Sequence, residues 1–281
     1  MAAPANPNVG VSMAYRYLLY IDILGFSNLV DEPARVADLY EVVASLNVHK
    51  HPDFKAIVFS DTILVYNINE TAGRADPNYY VMYLCEFAQD LQARLLGKDI
   101  FFRAVLVRGT FDHYELNRIP CFYGKALVRA YQDEKRIKAI GLFIHSSLVQ
   151  YSDVFHTENF NDEYDIVFIT QGLERIRDAY DGQVPLPREL IEETEEIHSL
   201  SLDLLYMKQL FENTQKNHSA GVKRKFDQIW EIFKNRYPKV LGALAKSHFD
   251  WNSVSKGANW NAYMQKYPAS YSWSIESRFD Y

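Results

Sequence analysis

Apolar positions follow a strand rhythm and a helix rhythm in turn along the first part of the chain. Tyr17, Leu18, Leu19, Tyr20 and Ile21 form an unbroken aromatic and branched run, as a buried strand requires. The run stops at Asp22, and Gly25 follows three residues later. Asp31-Glu32-Pro33 then has the acids and proline of a helix start, and Val36, Leu39, Val42, Val43 and Leu46 recur at helical spacing. Residues 54–66 are again apolar, with Ser60-Asp61 at their middle. This predicts two antiparallel strands joined by a tight turn near Ser60-Asp61-Thr62, although the turn has no glycine. Val81, Leu84, Phe87, Leu91 and Leu95 trace the stripe of a helix over 79–96, which Gly97 ends. Residues 47–53 and 71–78 read as loops.

Residues 100–111, which include Arg103 and Arg108, are a further strand. A turn at 115–120 and a short extended piece at Cys121-Phe122-Tyr123 lead to a helix over 125–137. Strands follow at 139–145 and 164–170. The order β-α-β-β-α-β predicts a ferredoxin-like α+β core with additions. From about residue 171 the pattern is helical: Ile197, Leu200, Leu204, Met207 and Phe211 form one seam, and Phe226, Ile229, Trp230 and Phe233 another, limited by Pro238. These helices are expected to pack on the core or on a partner subunit. Lys223-Arg224-Lys225 reads as a solvated helix face, and residues 251–281 show no period.

With 281 residues, 48 % of them apolar, the chain can build a full core. Its formal charge of −6 argues against non-specific nucleic-acid binding. Two cysteines, Cys85 and Cys121, make neither a disulfide framework nor a zinc pattern, so a reducing, cytoplasmic setting is expected. The opening MAAPANPNVG lacks a secretory pattern, no run reaches membrane-span length, and residues 1–13 read as a loose arm.

The candidate chemistry lies where carboxylates break apolar strands. A bare carboxylate in a buried strand is costly unless it is paired or binds a cation. The glycine turn after Asp22 can bring backbone N–H groups to phosphate oxygens. If the 54–66 hairpin pairs beside the first strand, Asp22 and Asp61 could hold two divalent cations, a known arrangement for in-line displacement at phosphorus. His49 and His51 lie two apart with no third ligand nearby and read as surface loop.

Four blocks, in order, resemble the class III nucleotidyl cyclases over roughly residues 15–150. YIDILGFS resembles that family's first strand and phosphate loop, and VFSDTILVY its metal hairpin, with Ser60 at a usual glycine position. FRAVLVRGTF resembles the strand whose arginine meets the triphosphate. CFYGKALVRAYQDE resembles the block that serves the partner subunit's site. The resemblance implies that Asp22 and Asp61 bind two Mn²⁺ or Mg²⁺ ions, with Ile23 offering its carbonyl. It implies that Leu24, Gly25, Phe26 and Ser27 form the phosphate loop, that Arg103 contacts the triphosphate, and that Cys121 sits at a base-reading position. It also implies a homodimer whose site is split between subunits. The domains expected are an arm at 1–13, a cyclase domain at 14–170 and a helical C-terminal extension at 171–281.

The departures point to a subgroup. Four and eight residues after Gly124, where the family places an asparagine and an arginine, stand Val128 and Gln132. Arg129, with Lys125 on the same helical face, is the candidate replacement. Ile57 stands at a purine-reading position and, with Phe59, could wall a smaller base. These features resemble the pyrimidine cyclases of bacterial anti-phage defence, the Pycsar system. That resemblance implies a pyrimidine triphosphate substrate, UTP favoured, a cyclic nucleotide product and a separate effector protein. The alternatives are a cyclase acting on CTP or ATP, a cyclase-like binding module without turnover, and an unrelated α+β module.

Overall fold

The computed structural model describes residues 14–69, 76–193 and 196–264. The expected N-terminal arm and most of the aperiodic tail lie outside the described residues. Strand β1 (Tyr15–Ile23) leads through a one-turn helix, α1 (Phe26–Leu29), into α2 (Pro33–Ala44). Strands β2 (Phe54–Phe59) and β3 (Thr62–Asn67) form the predicted hairpin, and α3 (Pro77–Leu95) carries the chain to β4 (Phe102–Thr110). These four strands lie in the order β2-β3-β1-β4, all antiparallel to their neighbours. That is the ferredoxin-like α+β core that the sequence predicts.

The additions continue the same sheet. A separate hairpin, β5 (Asp112–Leu116) and β6 (Ile119–Tyr123), stands off it and leads into α4 (Lys125–Arg136). Strand β7 (Gly141–His145) joins β4 in parallel, followed by β8 (Thr157–Asn159) and β9 (Tyr164–Val167), giving the sheet order β2-β3-β1-β4-β7-β9-β8. The sequence pattern missed β5 and β8, which are short: β8 is polar throughout, and the apolar Tyr114 and Leu116 of β5 are exposed.

Alternation along β1 sorts the two layers. Tyr17, Leu19, Ile21 and Ile23 face one core, shared with α2 and α3. Leu18 and Tyr20 face the other, covered by α4 and by the C-terminal helices. Asp22 follows Tyr20 by two residues and so lies on that second face. The C-terminal helices are α5 (Gln171–Tyr180), α6 (Arg188–Glu193), α7 (Glu196–Gln215), α8 (Ala220–Arg236), α9 (Pro238–Lys246) and α10 (Trp260–Met264). The seam Ile197, Leu200, Leu204 and Met207 is fully buried against the core, one of the two expected arrangements. Pro238 does not simply end a helix: it is the first residue of α9, where a missing N–H costs nothing. No helix among the described residues is long and apolar enough to cross a membrane.

One contact locks the helices of the extension tightly to one another. A Cβ on Gly172 would lie 2.6 Å from the Leu200 backbone nitrogen, so α5 meets the α7 backbone directly. Asp203 of α7 accepts the Leu173 N–H at 3.0 Å, a cap supplied by a neighbouring helix. Gly172→Ala is expected to destabilise the fold by about 1–3 kcal/mol, an overpacking cost readable as a lower midpoint in urea denaturation.

Candidate active site

The end of β1 and the β2–β3 turn are tied together by backbone. Ile23 N–H donates to the Asp61 carbonyl at 2.9 Å, and Leu24 N–H donates to the Phe101 carbonyl at 2.9 Å. The first bond brings Asp61 beside Asp22. Ser60, the first turn residue, has φ +55°, a left-handed conformation that explains why glycine suits this position. Gly25 (φ +71°) makes the turn from β1 into α1.

Strand register places a row of residues across the sheet beside this turn: Phe59, Thr62, Asp22, Arg103 and Gly141. The next row on the same face is Ile57, Leu64, Tyr20, Val105 and Phe143. The Tyr20 hydroxyl lies 3.3 Å from Thr62 Oγ1, and the Tyr131 ring of α4 meets the Tyr20 ring edge-on. Ile57 is half-buried against the same core, whereas Phe59 at the turn is 78 % exposed.

Arg103 is fully buried and engaged within the chain. Its guanidinium pairs with Asp22 at 3.5 Å and with Glu134 of α4, and it donates to the Ile137 carbonyl. The expectation that it meets a triphosphate is thus set against a geometry in which it holds Asp22 and the end of α4. Burial pushes the Asp22 carboxyl above the ordinary carboxylate range; Arg103 opposes the shift, nearby Asp61 adds to it, and Lys225 and Lys135 oppose it. Two of these groups were not singled out from the sequence. Lys135 lies on α4, with its ammonium 3.7 Å from the Tyr131 ring centroid. Lys225 comes from α8 and is half-buried, so the Lys223-Arg224-Lys225 run is not wholly a solvated face. Burial and Arg103 lower the affinity of the Lys225 amine for its proton, and Asp22 counters them.

The remaining candidates lie elsewhere on the same chain. Arg129 pairs with Asp133 at 3.4 Å and Glu163 at 3.7 Å. It lines a cavity of about 500 Å³ together with Lys125, Val128 and Gln132. Cys121 lies in the β5–β6 hairpin opposite Tyr114. The phosphate-loop residues divide by burial: Phe26 is in the core, Leu24 is half-buried, and Gly25 and Ser27 are exposed. His49 bonds the Val43 carbonyl and His51 packs among Phe54, Tyr79 and Tyr83, so both are structural.

Among the described residues no three His, Cys, Asp or Glu side chains converge on one point. The donors beside the turn are two carboxylates and backbone carbonyls. This all-oxygen set fits a hard cation such as Mg²⁺ or Mn²⁺, which keeps waters or substrate phosphates in its remaining positions.

No protein-family model matches the chain, and no curated protein matches it. Solved structures that it resembles include adenylyl and guanylyl cyclases. The adenylyl cyclase CyaB from P. aeruginosa aligns at 14 % identity with a TM-score of 0.41, over 55 % of this chain and 92 % of that one. The dimeric guanylyl cyclase domain of the RhoGC fusion protein from Blastocladiella emersonii aligns at 16 % identity with a TM-score of 0.43, over 56 % and 94 %. The guanylate cyclase domain of RhGC from Catenaria anguillulae, in complex with GTP, aligns at 15 % identity with a TM-score of 0.40, over 55 % and 96 %.

Proposed function

We propose that the chain is a metal-dependent nucleotidyl cyclase that converts a ribonucleoside triphosphate to its 3′,5′-cyclic monophosphate and pyrophosphate. One observation carries this reading: the Ile23-to-Asp61 backbone bond sets two carboxylates, Asp22 and Asp61, side by side at the end of the central strand of a ferredoxin-like sheet. The ribose 3′-oxygen forms a bond to the α-phosphorus, and the bond to pyrophosphate breaks. Bound Mn²⁺ or Mg²⁺, two per site, would favour loss of the hydroxyl proton and neutralise the triphosphate. Asp22, Asp61 and the Ile23 carbonyl are the groups that would hold the ions, and the turn Leu24 to Ser27 faces the phosphates. Arg103 acts by orienting Asp22 and anchoring α4.

The base is read from the row of Ile57, Leu64 and Tyr20. Ile57 has no hydrogen-bonding group with which to read a purine edge, and a site that reads an edge rejects bases lacking it far more strongly than an apolar wall does. A pyrimidine is therefore the proposed base, with UTP favoured over CTP. Incubating the protein with Mn²⁺ and each of the four ribonucleoside triphosphates, with products identified by mass, tests both claims. Cyclisation of UTP or CTP is expected, and equal or faster cyclisation of ATP or GTP would return the protein to purine chemistry.

The assembly proposed is a homodimer. Val58 and Phe59 at the metal turn, Tyr114, Leu116 and Ile119 on the hairpin, and Val128 on α4 are all exposed. Such apolar surface favours cover by a second copy. The Arg129 cavity of one subunit would then serve the Asp22 site of the other, with Cys121 and Phe59 brought towards the base. The cytoplasmic setting, the separate effector and the role in anti-phage defence rest on the sequence resemblance alone. A second reading, nucleotide binding without turnover, is favoured by Val128 and Gln132 in the Arg129 cavity. It predicts nucleotide binding but no product with any of the four substrates.

A further inference from the structure

The C-terminal helices are folded onto the candidate site. Just before β4, Asp99 takes a left-handed conformation (φ +53°) and accepts hydrogen bonds from Asn213 at 2.9 Å and Lys216 at 2.6 Å, where α7 ends. Phe226 of α8 packs edge-to-face on Phe101 at 5.0 Å. The Phe101 carbonyl is the group that takes the Leu24 N–H. Between these contacts lies a cavity of about 220 Å³. One wall is Leu24, Gly25 and Asn28, and the opposite wall is His218, Val222 and Lys225.

The charged groups around it are unequal in their commitments. Asp99 is already matched by Lys216 and Asn213. Arg35, at the edge, donates to the Lys98 carbonyl and pairs with Glu32. His218 is held by Asn213 and stacked on Phe226. Lys225 takes up no hydrogen bond or ion pair among the described residues. Asp22 supports its charge only from beyond ion-pair distance; a half-buried ammonium with no anion in direct contact is costly, and a compact cationic head on a flexible stem suits phosphate oxygens.

We propose that this cavity is a polyphosphate subsite built between the phosphate loop and the C-terminal helices, in which Lys225 binds the terminal phosphates of the substrate. The identity of those phosphates rests on the cyclase reading; the cavity and its lysine do not. The helical region is then part of the site in the same chain, supplying a cation from outside the ferredoxin-like core. Partial burial makes that charge more effective than a surface lysine.

The test measures binding of inorganic tripolyphosphate to the full chain by calorimetry, alongside steady-state turnover. The variants are Lys225→Ala, Lys225→Met, which keeps the packing of the stem, and Lys225→Arg, which keeps the charge. Both neutral variants should weaken tripolyphosphate binding about tenfold or more, the loss of one charge-assisted hydrogen bond. They should raise KM for the nucleotide by a similar factor with a smaller change in kcat, and Lys225→Arg should retain most of the binding. Unchanged tripolyphosphate affinity in folded Lys225→Met overturns the subsite. Lys225-dependent tripolyphosphate binding in a chain that cyclises no nucleotide supports the subsite and overturns the cyclase reading. Turnover with a KM indifferent to Lys225 supports the cyclase and overturns the subsite.

Discussion

Asp22→Asn is expected to abolish turnover and, at neutral pH, to make the folded chain more stable. The two effects have one cause. The Asp22 carboxylate is held on the covered face of the sheet, where burial disfavours its charge more than Arg103 supports it. An acid whose folded pKa is raised contributes stability that is complete below the unfolded carboxylate range, about 3.9, and is lost as pH rises through the folded value. At neutral pH the wild-type chain therefore carries the cost of ionised Asp22, and the amide removes it. The gain in thermal midpoint should shrink as the pH is lowered towards that range. On the proposed metal-dependent reading, losing the Asp22 carboxylate removes several kcal/mol of charge stabilisation, so turnover should fall by roughly 10³-fold or more. Asp61→Ala should be equally inactive, and EDTA should stop the wild-type enzyme. An Asp22→Asn protein that turns over normally takes Asp22 out of the site.

Mixing inactive Asp22→Ala with inactive Arg129→Ala is expected to restore about a quarter of wild-type turnover. In an equal mixture of exchanging dimers half are hybrids, and each hybrid keeps one intact site of two. The expectation comes from where one chain puts its own groups. Asp22 pairs with Arg103, whereas Arg129 pairs with Asp133 and Glu163. Arg129 instead lines the α4 cavity with Lys125, Val128 and Gln132. In the proposed homodimer a second copy brings the two halves together. If both single variants are dead and the mixture stays dead after subunit exchange, the split site is wrong. Normal turnover in Arg129→Ala would remove Arg129 from the mechanism.

The core was legible because its strands and helices obey their periods. The run from Tyr17 to Asp22 fixed both the strand and the face on which the carboxylate lies, and the Ser60-Asp61 break located the turn that brings in the second one. Tyr20 could have been found by the same reasoning, since it precedes Asp22 by two and must share its face. The partners of Arg103 could not. Nothing in the sequence of its helix marks Glu134 as buried, and only the packing of α4 across β1 and β4 turns it inward. Lys225 was hidden for a related reason: in a run of Lys-Arg-Lys nothing local marks the member beside Phe226 as the one drawn into a cavity. Pro238 reads equally well as a stop or as a first helical residue, and the direction of the chain after it decides.

The unequal timing with which the sheet's two faces are covered has a consequence for how the protein is made. As the chain leaves the ribosome, the face of Tyr17, Leu19 and Ile21 is closed once α3 has emerged. On the other face α4 covers Leu18 and Tyr20, and the part around Phe101 must wait for α7 and α8. For much of synthesis the nascent chain thus carries an incompletely covered sheet, with the Asp22 and Asp61 carboxylates at its margin and apolar residues open to wrong partners. Slow translation through α7 and α8, or premature release before them, would leave an aggregation-prone intermediate rather than a small working enzyme. Chaperone demand should therefore peak late, when the sheet that carries Asp22, Asp61 and Arg103 has already been made.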